Sequence, residues 1–124
     1  MSQTLQKSIL LIESDESILK SLQEKLKISG YLVISAKDGY EGFERAKQET
    51  PSLIIAEFVL PVISGPKIAR LLKFDERYKT IPFLILGSKD ALANFDKDEY
   101  GIEQVLNKPF RLGDLKNIIE QLID

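Results

Sequence analysis

Seven residues, six of them able to do chemistry, stand just past the ends of four short apolar runs. Glu13, Ser14 and Asp15 follow the run Ser8 to Ile12, Glu57 follows Leu53 to Ala56, Gly87 and Ser88 follow Ile81 to Leu86, and Lys108 follows Gln104 to Leu106. The chain has no histidine and no cysteine, so the commonest general base and the thiolate ligands are both missing. Whatever chemistry occurs must use carboxylates, hydroxyls or lysine, and a metal would be a hard cation such as Mg²⁺. Gly87 supplies no side-chain group, only room.

These residues need elements that bring them together. A short continuous apolar run between turn signals reads as a strand buried on both faces, the kind found inside a parallel sheet. Ser8 to Ile12, Tyr31 to Ser35, Leu53 to Ala56, Ile81 to Leu86 and Gln104 to Leu106 fit that description. Between them the period changes to that of a helix. Ile18, Leu19, Leu22 and Leu26 form one apolar face after an N-cap at Ser14 or Asp15, and Gly30 ends that helix. Gly39 to Gln48 is expected to bury Tyr40, Phe43 and Ala46. Pro66 to Phe74 begins with proline in a tolerated first-turn position. Asp90 to Tyr100 is polar and only weakly periodic, and a helix there is the least supported. Asn107 to Phe110 reads as a turn with Lys108-Pro109 as a candidate cis peptide. Leu112 to Ile123 closes with Leu115, Ile118, Ile119 and Leu122 on one stripe.

Five alternations of strand and helix with short connections predict a parallel sheet covered on both faces through right-handed crossovers. Ligands of such sheets collect at the carboxyl ends of the strands, where the seven residues converge. Residues 1–124 are expected to form one domain, with residues 1–7 as a tail running into the first strand.

Composition narrows the classes of function. Hydrophobic residues make up 44% and charged residues 29%, with a net charge of −2. No basic stripe points to nucleic acid and no polybasic cluster to a membrane surface. No apolar run approaches the ~18 residues of a bilayer span. The absence of cysteine suits a cytoplasmic protein.

Four stretches together resemble the receiver domain of bacterial two-component response regulators: Ile9 to Glu16, Pro51 to Pro61, Ile81 to Asp90 and Val105 to Phe110. The resemblance covers essentially the whole chain. It implies a three-layer, flavodoxin-like (βα)5 fold with strand order 2-1-3-4-5. It also implies a switch in which an acidic pair and an aspartate hold Mg²⁺ and the aspartate accepts a phosphoryl group from a histidine kinase. A Thr or Ser and a Lys then grip the phosphate, and an aromatic residue on the fifth strand repacks.

Residue by residue, most of that machinery is altered. Glu13 falls on the first acidic position and Ser14 on the second. Glu57 falls on the phosphoacceptor, Gly87 on the hydroxyl residue, and Val105 on the switch aromatic. Lys108 and Pro109 are unchanged. Glutamate is one methylene longer than aspartate, and a misplacement of about 1 Å can cost on the order of a hundredfold in rate. Phosphoryl transfer is mostly positioning and charge neutralisation. Ser14 offers Mg²⁺ a neutral oxygen, so binding at Glu13 and Glu57 is expected to be weak or absent. Asp15 and Ser88 are one residue from the vacated positions, but a one-residue slip on a strand turns a side chain to the other face.

The expectation is a direct Glu57–Lys108 contact in a phosphorylation-independent pseudo-receiver. Such a non-enzymatic domain would bind a protein partner, or a second copy of itself, through residues 91–123, and would need no cofactor. The same pair also serves as a plain ion pair holding strand ends. Two other readings stand beside this one: a Mg²⁺-dependent receiver phosphorylated at Glu57, and a flavodoxin-like ligand binder, against which the lack of a Gly-rich loop after the first strand counts. Tyr40, Phe43, Phe58, Phe74, Phe83 and Phe110 are expected to pack as core or loop plugs, Tyr78 and Tyr100 at edges. Lys67, Arg70 and Lys73 share one helical face, expected to be solvated. Asp96, Asp98 and Glu99 lack the spacing of a calcium loop.

Overall fold

A computed structural model describes residues 6–123; the N-terminal tail expected over residues 1–7 lies mostly outside them. The strands are β1 (Ser8–Ile12), β2 (Leu32–Ala36), β3 (Leu53–Glu57), β4 (Phe83–Ser88) and β5 (Gln104–Lys108). All pairs are parallel and the order is β2-β1-β3-β4-β5, as the resemblance implied. Every residue of β3 is buried, which is why it reads as an unbroken apolar run. The helices are α1 (Glu16–Ile28), α2 (Gly39–Glu49), α3 (Gly65–Lys73), α4 (Lys89–Leu92) and α5 (Leu112–Ile123).

Two apolar clusters sandwich the sheet. One joins Leu10, Ile12, Ile54, Ala56, Phe83 and Ile85 to Ala46 of α2 and to Ile68, Ala69 and Leu72 of α3. The other joins Ile9, Leu11, Ile55 and Leu84 to Leu19, Leu22 and Leu26 of α1 and to Leu115 and Ile119 of α5. Each buried aliphatic side chain contributes roughly 1.5–3 kcal/mol relative to exposure, so these faces hold the strand register.

The helical stripes differ from expectation at two points. Ile18 is 38% exposed, because it lies one residue, or about 100°, off the Leu19–Leu22–Leu26 line. Tyr40 is 57% exposed, and α2 instead buries Gly39, Gly42 and Ala46, with Phe43 packed partly against the core. A Cβ on Gly39 would stand 1.8 Å from the Ile63 carbonyl oxygen, and one on Gly42 would stand 2.5 Å from Ile12 Cδ1. The two glycines are therefore the contact face of α2. They let its backbone lie against β1 and the β3–α3 loop, where Gly39 N–H donates to the Pro61 carbonyl at 2.9 Å.

The helix expected over Asp90 to Tyr100 is reduced to one α-helical turn, α4, and a separate 3-10 turn over Lys97–Tyr100. Local side chains compete for the backbone here. Ser88 Oγ accepts from Ala91 N–H and Asp96 Oδ1 accepts from Asp98 N–H, so the stretch starts twice and never propagates. Between the two starts Phe95 packs edge-on to Phe58 at 5.0 Å and against Tyr100 at 5.2 Å.

Three further expectations are corrected. Phe74, at the C-cap of α3, is 84% exposed rather than packed, whereas Tyr78 is buried in the core. The α3 cations are not a uniformly solvated face. Lys73 Nζ donates to the carbonyls of Lys79 at 3.2 Å and Ile81 at 2.9 Å and pairs with Glu103 at 2.8 Å.

Val62, in the loop after β3, holds φ +72° and is 78% exposed. A β-branched residue in the left-handed region is strained by roughly 1–2 kcal/mol, and little packing offsets it here. Val62→Gly is expected to raise stability by about 0.5–1 kcal/mol after the extra chain entropy of glycine, read as a higher urea midpoint with an unchanged m-value.

Candidate functional site

Strand register gathers the candidate residues. Ile12 pairs with Ala56, so Glu13 and Glu57 leave adjacent strands at nearly the same level. Glu57 is level with Leu86, and Lys108 with Ser88, one strand beyond. β4 and β5 each run two residues further than the sequence suggested, so Gly87, Ser88, Asn107 and Lys108 belong to the sheet. Lys108 thus starts above the carboxylates and its long side chain reaches back to them.

Glu13 and Glu57 are the charged residues buried in the domain, at 4% and 9% exposure. The expected contact is present: Lys108 Nζ lies directly against Glu57 Oε1, and 3.6 Å from Glu13 Oε1. Those two carboxylate oxygens accept no regular hydrogen bond among the described residues. Lys108 is therefore the cation set against both. The other Glu13 oxygen, Oε2, accepts from Asp15 N–H at 3.0 Å. Removing such charges from water costs several kcal/mol each unless they are compensated, so the cluster depends on one ammonium. Lys108 is followed by a cis bond to Pro109.

The neighbouring candidates are occupied elsewhere. Ser14 is exposed. Asp15 is exposed and caps α1, its Oδ1 accepting from Ile18 N–H at 3.1 Å. The Ser88 hydroxyl caps α4. Asp15 and Ser88 thus each spend one oxygen on capping a helix. Val105 is half-buried and packs with the cluster containing Phe83 and Ile85.

Gly87 has a partner that the sequence reading missed. A Cβ there would lie 3.2 Å from Leu92 Cγ and 3.2 Å from Phe58 Cβ. Leu92, at the end of α4, occupies the space beside the strand where a larger residue would have to fit. The sequence signal was Leu92, with Phe95, in a stretch that is otherwise mostly small or polar. Gly87→Thr is expected to cost about 1–3 kcal/mol by overpacking, and Leu92→Ala in the same chain should recover part of that. Thermal unfolding of the two variants checks it; full stability in Gly87→Thr alone would show that Leu92 yields freely.

The donor set does not suit a Mg²⁺ ion. Glu13 Oε1 and Glu57 Oε1 both face the Lys108 ammonium, and among the described residues no group of three or more Asp, Glu, His or Cys side chains converges. Mg²⁺ keeps several waters and is held by one or two carboxylates, so it is the competing ammonium rather than the number of acids that disfavours the ion here. An ammonium already against Glu57 neutralises the charge that would draw the ion in.

A five-stranded parallel sheet in this order, with carboxylates and a lysine at its carboxyl edge, defines an α/β domain of the receiver class. The chain belongs to the response regulator receiver domain family, whose model matches residues 9–120. It is 37% identical over 109 residues to the alkaline phosphatase synthesis transcriptional regulatory protein PhoP of Bacillus subtilis, a match covering 86% of this chain and 44% of PhoP. The chain thus spans less than half the length of that relative. It is 34% identical over 118 residues to the response regulator receiver protein CpdR of Brucella abortus, covering 94% of this chain and 97% of CpdR. Among solved structures, the receiver domain of sensor histidine kinase PA1611 from Pseudomonas aeruginosa PAO1 superposes with a TM-score of 0.86 at 25% identity, covering 96% and 98% of the two chains. That structure has a magnesium ion coordinated in its active site cleft. No helix among the described residues of the present chain is long and apolar enough to cross a membrane.

Proposed function

We propose that this two-component receiver domain is a pseudo-receiver: a non-enzymatic, cytoplasmic protein-interaction module that works without a phosphorylation cycle. One observation carries the reading. The Lys108 ammonium, which a phosphoryl group would need, is already against Glu57, the residue at the acceptor position. The longer acid places negative charge part-way toward where a phosphoryl oxygen would sit. The site is then held by its own ion pair, with the Glu13 carboxylate beside it.

Two departures support the same conclusion. Gly87 has no hydroxyl to hold a phosphoryl oxygen, and Leu92 fills the adjoining space. Val105, half-buried against the core, has no ring to reorient. Lacking a lever from site to surface, the domain would present one constant face to its partner. The expected surface runs through residues 91–123, where Leu112 is exposed and Leu106 and Phe110 are half-buried. The one-turn α4 makes that face flatter than a full fourth helix would.

The test is direct. Incubation with acetyl phosphate and Mg²⁺ followed by intact mass measurement should show no added phosphate. Addition of one phosphate that Glu57→Gln abolishes would instead establish a working acceptor at Glu57.

A further inference from the structure

A cavity of about 320 Å³ lies on the α3 side of the sheet, lined by Phe58, Ser64, Pro66, Lys67, Arg70 and Tyr100. Ligand pockets begin at roughly this size, about 300 Å³. Its lining contains two cations and no acid. Lys73, on the same helix, is paired with Glu103, but among the described residues Lys67 and Arg70 hold no carboxylate within ion-pair distance. Both side chains are exposed, and two cations with no acid beside them give this concavity a positive field that draws anions to it.

The cavity also offers apolar surface from Phe58, Pro66 and Tyr100. Arg70 lies 4.3 Å over the Tyr100 ring, and a single guanidinium hydrogen bond is present, to the Glu99 carbonyl at 3.5 Å. Arginine has five N–H donors, so most remain unspent. Tyr100 and Phe58 are held apart by Phe95, which packs against both. Two half-buried rings are thus fixed beside two cations, with the Ser64 hydroxyl at the edge. Rings recognise rings by offset or edge packing, and guanidinium groups take carboxylate or phosphate oxygens in pairs.

We infer that this cavity is a binding site for a small anion carried on a flat ring, an aryl phosphate or aryl carboxylate. It lies apart from the Glu57–Lys108 pair and does not rest on how that pair is read. It is nevertheless wired to the same strand ends. Phe58 follows Glu57 in sequence, its N–H donates to the Leu86 carbonyl at 2.8 Å, and its Cβ borders the space at Gly87. A ligand against Phe58 would press on the residue that links the ion pair to Leu92.

Amide chemical shifts of the isotopically labelled domain, titrated with phenyl phosphate, benzoate and inorganic phosphate, test the inference. Saturable shifts centred on Phe58, Ser64, Lys67, Arg70 and Tyr100 are expected with one or both aryl anions; the tighter of the two identifies the anionic group. Inorganic phosphate should bind at least tenfold more weakly, because it lacks the ring. Lys67→Gln and Arg70→Gln should each weaken binding about tenfold, and added salt should weaken it further. Lys67 makes no side-chain contact that holds the fold, so its variant remains informative even if Arg70→Gln disturbs Tyr100. No saturable shift up to about 10 mM would overturn the inference, since that is already below millimolar affinity. So would shifts centred on Lys108, equal binding of inorganic phosphate, or unchanged affinity in Lys67→Gln.

Discussion

Lys108→Met should cost the domain about 3 kcal/mol, the low end for breaking a buried ion pair, because the lysine itself is partly exposed. The loss does not come from the lysine's own contacts. It comes from two carboxylates, at 4% and 9% exposure, left facing one another with no cation between them. Adding Glu57→Gln to Lys108→Met should restore more than half of the lost stability, since one of the stranded charges is then gone. Glu57→Gln alone should be mild, within about 1 kcal/mol, because Glu13 still faces the ammonium. Urea unfolding of the four chains closes a double-mutant cycle with a coupling energy of 0.5–3 kcal/mol, the span typical of contacting residues. A coupling near zero would mean that the pair is a surface accident of two strand ends.

The second large effect lies at the opposite end of the sheet. Lys73→Met should destabilise by about 1–2 kcal/mol, since its own side chain is 15% exposed but only the Ile81 carbonyl among its three acceptors is partly shielded from water. It strands the carbonyls of Lys79 and Ile81 and leaves Glu103 Oε2 unpaired. Glu103 matters in its own right, since its Oε1 accepts the Phe83 N–H at 2.7 Å where β4 begins. Lys73 therefore ties the end of α3 to the starts of β4 and β5. Lys67→Met, one and a half turns earlier on the same helix, should change stability by no more than about 0.5 kcal/mol. Thermal midpoints of the pair separate a structural cation from a solvated one; equal shifts would contradict the assignment.

Much of the fold could be read from the chain because its signals were periodic. The unbroken apolar β3, flanked by shorter runs and amphipathic stripes, leaves few ways to build a sheet. Glu13, Glu57 and Lys108 were legible for the same reason: each lies within two residues of the end of an apolar run, and parallel strands align their ends.

What could not be read depended on contacts with no sequence period. Lys73 shares its spacing with Lys67 and Arg70, and only the fold brings Glu103 to it. The glycines of α2 looked like helix weaknesses and proved to be its contact face, because propensity is silent about close approach. Tyr40 and Ile18 were misplaced because a stripe read to within one residue can still be 100° wrong. Asp90 to Tyr100 failed as a helix because two capping side chains compete for its backbone, an outcome decided by Ser88 and Asp96 rather than by hydrophobic pattern.

Intact mass of the domain after exposure to acetyl phosphate and Mg²⁺ bears most directly on the central claim, that Lys108 and Glu57 satisfy each other and leave no seat for a phosphoryl group. The treated chain should have the same mass as the untreated one, and so should Glu57→Gln. A stoichiometric phosphate on the natural chain, lost in Glu57→Gln, would contradict it.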